Sequence, residues 1–150
     1  MCFELITCSE QETIKAGNMV GARLRGGEVI ALSGTLGAGK TSFVKGVGEA
    51  LKINPKSILS PTFTLRAEHE GRLPLAHIDL YRLDSPGEIQ SLGLLEQENP
   101  LTVLVIEWPE KASSQLPPER MQIEFFPEGE FKRRIIMSVF GNQYLYLLKA

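Results

Sequence analysis

The sequence predicts an α/β domain built on a mixed β-sheet, with a parallel core, antiparallel hairpins and flanking helices. Three observations carry that prediction. The apolar run 28-EVIALS-33 passes directly into the glycine-rich 34-GTLGAGKT-41 and then into a helical pattern. Its continuous apolar centre is that of a strand covered on both faces. A second run, 101-LTVLVIEW-108, is the most strand-like in the chain. Segments 62-TFTLRAE-68 and 75-LAHIDLY-81, joined through Glu70-Gly71-Arg72, pair as an antiparallel hairpin because the connection is short.

The elements follow in order. Segment 3-FELITC-8 is a strand whose even spacing would put Cys2 and Cys8 on one face. Ser9 and Glu12 form a capping box, opening a helix to about Arg23 with Met19, Val20 and Leu24 on its apolar side. Arg25-Gly26-Gly27 breaks it. The second helix runs to about Leu51 and aligns Phe43, Val44, Val47 and Leu51. A loop from Asn54-Pro55 reaches Ser60-Pro61. Ser85, Pro86 and Glu88 occupy N-cap, N1 and N3 of a third helix, which would end near Glu98, before Pro100. Pro109 stops the strand 101–108. Strands 121-MQIEFF-126 and 134-RIIMSVF-140 flank a turn at Glu128-Gly129-Glu130, and 144-YLYLLKA-150 would add another strand. No repeat or linker divides residues 1–150, so one domain is expected.

Composition narrows the function classes. Apolar residues make up 43% and charged residues 23%, ordinary for a soluble globular chain. A net charge of −2 gives no global basic field to hold nucleic acid. The longest basic cluster, Lys132-Arg133-Arg134, reads as a solvated turn. Two cysteines supply neither a disulfide framework nor a four-ligand zinc site. The N-terminus lacks the features of a secretory signal, and no apolar run approaches a membrane span. A cytoplasmic setting without a membrane is therefore expected.

Gly34 to Thr41 fits G-x-x-x-x-G-K-[ST] without a mismatch, strand before and helix after. Glycines let backbone N–H groups approach phosphate oxygens, and the helix points its positive end at the same anion. Lys40 would reach the β- and γ-phosphates, and the Thr41 hydroxyl would ligate Mg²⁺. By residue frequencies such a match arises by chance in well under ~1% of chains this long. Hydrolysis also needs a carboxylate near the metal. Glu107, at the end of 103-VLVIE-107, is placed for it.

Asp84-Ser-Pro-Gly87 matches the short D-x-x-G pattern of GTPases, but it follows a polar stretch and no Asn-Lys-x-Asp motif occurs. A small-molecule kinase and a nucleotide-gated binding module stay open, although the lid candidate 111-KASSQLPPER-120 is poor in arginine. The stretch 77-HIDLYRL-83 is anomalous for a buried strand, because His77, Asp79 and Tyr81 share one face.

Together, GTLGAGKTSF, SPTFTL, HIDLYRL and IEWPEK resemble the TsaE (YjeE) family over nearly the whole chain. Thr35 departs from a frequently acidic loop position, and the C-terminal turn matches loosely. The resemblance implies a small ATPase with a phosphate-loop fold, required for threonylcarbamoyladenosine formation on tRNA. Its implied partners are TsaD and TsaB, with tRNA reached only through that complex. Its implied cofactors are ATP and Mg²⁺. On this basis Gly34, Gly37, Ala38, Gly39, Lys40, Thr41 and Ser42 would hold phosphate. Thr41 and Glu107 would hold Mg²⁺. Asp79, Glu107 and Lys40 would serve catalysis, with β-strand 75–81 beside the phosphate loop. Thr62 and Thr64 would lie in a switch-like segment near the γ-phosphate, and Trp108 beside the nucleotide. Ser9, Thr13 and Arg133 would border the base. Taken alone, Ser9 also reads as a helix cap, Thr62 and Thr64 as β-formers, and His77 as a packed histidine.

Overall fold

A computed structural model describes residues 1–59, 61 and 63–148. Its strands are β1 (Cys2–Thr7), β2 (Val29–Ser33), β3 (Arg66–His69), β4 (Leu75–Asp79), β5 (Val103–Glu107), β6 (Arg120–Pro127) and β7 (Arg133–Phe140). They form one sheet in the order β1-β7-β6-β2-β5-β4-β3. The centre is parallel, β2 pairing with β5 and β6 and β4 pairing with β5. The flanks are antiparallel: β3 with β4, β6 with β7, and β7 with β1. The expected mixed sheet and both hairpins are present.

Alternation along the strands divides the core into two. Ile30, Leu32, Val103 and Val105 face α1 (Glu10–Gly21) and α2 (Lys40–Ala50). Val29, Leu104, Ile106 and Ile78 face the other way, toward α3 (Pro86–Ser91) and the 3₁₀ turns of Pro109–Gln115. Phe43, Val44, Val47 and Leu51 of α2 are all fully buried, as their spacing predicts.

Glycine sets how closely α1 and α2 cross. A Cβ on Gly46 would lie 1.9 Å from the Ile14 carbonyl oxygen, and one on Gly17 would lie 2.0 Å from that of Phe43. Only hydrogen at these positions lets the two backbones touch. The contact holds the N-terminal turn of α1 next to the loop that precedes α2.

Several boundaries differ from expectation, each for a physical reason. Met19 on α1 is half exposed, whereas Val20 and Leu24 are buried. The third helix stops at Ser91, not near Glu98. Gly93 takes the left-handed conformation (φ 62°), Leu94 N–H donates to Ile89 O and Gly93 N–H to Gln90 O, the Schellman termination. β3 begins only at Arg66, because Leu65 turns through φ 68° with its N–H on Pro61 O. The tail forms a 3₁₀ turn, Leu145–Leu148, in place of a strand, with Tyr144 and Leu147 packed on the core. Cys2 and Cys8 are free and exposed. Among the described residues no helix is long and apolar enough to cross a membrane.

Candidate functional site

The site lies at the carboxyl ends of the parallel strands, where crevices in open α/β sheets form. Register puts three positions at one level: Leu32 pairs with Glu107, and Glu107 pairs with Asp79. β5 therefore stands between β2 and β4. The expectation that β4 runs beside the phosphate loop is corrected: β4 is one strand removed, and Glu107 bridges the gap.

The loop leaves β2 through Gly34, Gly37 and Gly39, at φ 149°, 78° and 103°. Gly39 is the N-cap of α2 in the left-handed region, and no side chain caps that helix end. The first N–H groups of α2 thus keep their donors for an anion at the positive end of the helix. Thr41 and Ser42 open the first turn, and Ala38 is fully buried beneath the loop.

Lys40 is only 4% exposed. Its Nζ donates to the Gly34 carbonyl at 2.7 Å, stands 3.9 Å from Glu107 Oε1, and lies 4.1 Å from the Trp108 ring centroid. Burial lowers the pKa of this ammonium, opposed by the charges of Glu107, Asp79 and Glu110. Asp79 is 2% and Glu107 3% exposed. Asp79 Oδ1 accepts the Tyr81 N–H at 2.9 Å. Glu107 Oε2 meets His77 Nε2 at 2.6 Å. The structure thus brings Lys40, Asp79 and Glu107 together in a buried cluster of one cation and two carboxylates.

Trp108 adopts φ 59°, rare outside glycine, and its N–H reaches Leu32 O. This turn carries the ring over Lys40 and against Tyr81, at 4.9 Å between centroids. Lys111 Nζ donates to the Tyr81 and Leu83 carbonyls at 2.6 and 2.8 Å, fastening the exit of β4 to the turn after β5.

Ser9, Thr13 and Arg133, expected to border a base, meet in a cleft of about 270 Å³ also lined by Gly39, Ser42 and Phe131. Ser9 Oγ accepts the Glu12 N–H, so it does cap α1. The Thr13 hydroxyl is buried on the Thr7 hydroxyl at 2.9 Å. The Arg133 guanidinium donates to the carbonyls of Ala38 and Gly37, and to those of Gly129, Glu130 and Lys132. It therefore braces the phosphate loop against the β6–β7 turn.

Thr62 lies outside the described residues, and Thr64 is exposed in the turn before β3. Beside it Phe63 is exposed, with the Arg82 guanidinium 4.9 Å from its ring centroid. Sequence reasoning missed Phe131 and Glu110. Phe131 sits in a polar turn with no pattern to mark it. Glu110 belongs to IEWPEK, next to the residues singled out there.

Hard oxygen donors at the start of α2 (Thr41) and at the ends of β5 and β4 (Glu107, Asp79) are of the kind that suits Mg²⁺, which is held by one or two carboxylates together with substrate phosphates. Among the described residues no three His, Cys, Asp or Glu side chains converge as a ready-made metal cage.

Comparison with known proteins supplies the remaining finding. The family described as "Threonylcarbamoyl adenosine biosynthesis protein TsaE" matches residues 7–135. The tRNA threonylcarbamoyladenosine biosynthesis protein TsaE of Bacillus subtilis is 40% identical over 139 residues, 92% of this chain and 86% of that protein. The protein of the same name from Treponema pallidum is 41% identical, over 89% of this chain and 98% of its own. The crystal structure of Bacillus subtilis YdiB superposes with a TM-score of 0.78 at 32% identity, covering 98% of this chain and 91% of that one.

Proposed function

The chain belongs to the TsaE family, and from that premise we propose that it is a Mg²⁺-dependent ATP-binding and ATP-hydrolysing accessory protein in threonylcarbamoyladenosine biosynthesis on tRNA. It acts in the cytoplasm with the TsaB–TsaD complex and meets tRNA only through that complex. ATP turnover serves the complex and does not itself transfer the threonylcarbamoyl group.

The observation that carries the nucleotide reading is the buried Lys40–Glu107–Asp79 cluster at the mouth of a glycine loop whose helix lacks a side-chain cap. Lys40 exchanges its hold on the Gly34 carbonyl for phosphate oxygens. Backbone N–H groups at the start of α2 hold the same phosphates. Thr41 and Glu107 would hold Mg²⁺, which would supply positive charge to offset that of the phosphates. Asp79, fixed through the Tyr81 N–H, orients the attacking water. Trp108 walls the pocket and excludes bulk water from Lys40.

The test is ATP turnover by the purified protein, by the TsaB–TsaD pair, and by all three together. The mixture should exceed the sum of its parts severalfold. No stimulation would remove the coupling, and no turnover in any sample would remove the ATPase itself.

A further inference from the structure

His77 is fully buried on β4, two residues before Asp79 and on the same face of the sheet. Its Nε2 lies 2.6 Å from Glu107 Oε2, while its Nδ1 is buried with no hydrogen-bond partner among the described residues. The first of these facts places a hydrogen: a carboxylate oxygen only accepts, so Nε2 donates to Glu107.

The consequence falls on Glu107. Its Oε2 is held by the imidazole, and its Oε1 faces Lys40 at 3.9 Å, too long for a hydrogen bond. Without His77 the hold on Oε2 is lost, and the carboxylate can swing onto the ammonium and shorten the 3.9 Å separation to a hydrogen-bonded ion pair. Such a pair would withdraw Lys40 from phosphate and Glu107 from a cation in one movement. We infer that His77 is a positioning residue: it pins one oxygen of Glu107 so that the other stays aimed at the nucleotide-bound cation and Lys40 stays available to phosphate. A packed histidine would need only its volume; a positioning histidine needs its donor. The inference rests on the ATPase reading above and adds a role to a residue that does not touch substrate.

The experiment compares His77→Gln, which keeps an N–H at nearly the same reach, with His77→Met, similar in size but without a donor. Half-saturating Mg²⁺ and kcat are measured alongside ATP affinity without divalent cation, the last read from the fluorescence of Trp108, the single tryptophan. For the Met variant we expect a rise in half-saturating Mg²⁺ and a fall in kcat of about tenfold or more, the usual cost of losing an outer-shell partner. The Gln variant should recover most of both, and cation-free ATP affinity should fall in the Met variant, where Glu107 draws Lys40 from phosphate, and return toward wild type with Gln. Equal behaviour of the two variants would overturn the inference. The tautomer is read separately on the wild-type protein by ¹⁵N NMR of the imidazole. A ring protonated at Nδ1 and bare at Nε2 would overturn it too, even if neither variant folds. A wild-type protein without turnover would instead count against the ATPase reading, which keeps the two failures apart.

Discussion

Gly46→Ala tests whether the α1–α2 crossing holds the site together. An added Cβ would sit 1.9 Å from the Ile14 carbonyl oxygen and 2.8 Å from the Asn18 nitrogen. Both are backbone atoms, so no rotamer change relieves the clash and α1 must move as a body by more than an ångström. Overpacking that side chains can accommodate costs about 1–3 kcal/mol. Alanine returns about 1 kcal/mol of helix propensity. Because relief here requires displacing a helix, the net loss is expected at about 2 kcal/mol or more, a fall of roughly 4–8 °C in Tm at this chain length. Gly48→Ala is the internal control. Its Cβ would meet the Ile58 Cδ1 methyl at 2.1 Å, and that methyl can rotate away. The two variants share a helix and the same propensity gain, so the difference between them isolates the backbone contact. Urea melts give the stabilities, and Trp108 fluorescence gives ATP affinity. Gly46→Ala should lose both stability and affinity, since Ser9 and Thr13 ride on α1, while Gly48→Ala should keep its affinity. Indistinguishable melts for the two variants would refute the reasoning.

The other predictions concern the charged residues. Lys40→Ala should weaken ATP binding about tenfold to a hundredfold, the worth of a hydrogen bond to a charged group; calorimetric titration checks this, and unchanged affinity would remove Lys40 from the phosphate site. Asp79→Asn, in the presence of Mg²⁺, should leave affinity near wild type and cut turnover about a hundredfold or more, as expected for loss of a water-orienting base; full turnover would refute that role. Burial, and then a hydrogen bond to the Glu28 carboxylate, raise the Tyr146 phenol well above its ordinary pKa. The unfolded phenol ionises near about 10, so the stability it contributes is complete below that pH and declines as pH rises above it. The urea midpoint of Tyr146→Phe should therefore fall less steeply than that of wild type between about pH 9 and 11. Parallel curves would show that the phenol does not govern the alkaline loss.

What the sequence made legible was local. The succession of β2, glycine loop and α2 is contiguous, and Lys40 folds back on a carbonyl six residues earlier. The Ser9 and Ser85 caps each act within three residues. What it hid depends on distant segments. No local pattern shows that β5 inserts between β2 and β4, or that Gly17 and Gly46 meet across two helices. The threonines of 62–65 suggested extension, but the chain turns at Leu65, whose carbonyl accepts the Asp79 N–H. The end of α3 is a different failure. Pro100 set the expected end near Glu98, whereas the left-handed turn at Gly93 ends the helix earlier.

The anomaly of 77-HIDLYRL-83 resolves through charge. Two carboxylates with 2% and 3% exposure are tolerable because Lys40 is buried with them and the Tyr81 N–H and His77 hydrogen-bond to them. In the proposed function the ammonium turns to phosphate, and Asp79 and Glu107 then lose part of their compensation just as further negative charge arrives. A site built this way opposes bare nucleotide and favours nucleotide that brings a cation. Asparagine at position 79 removes one of the opposing charges, so it should not weaken binding on electrostatic grounds. The loss in Asp79→Asn is therefore expected in the chemical step, where a carboxylate is needed to direct water, and the separation of affinity from turnover in that variant distinguishes a catalytic acid from one kept only to hold Lys40 in place.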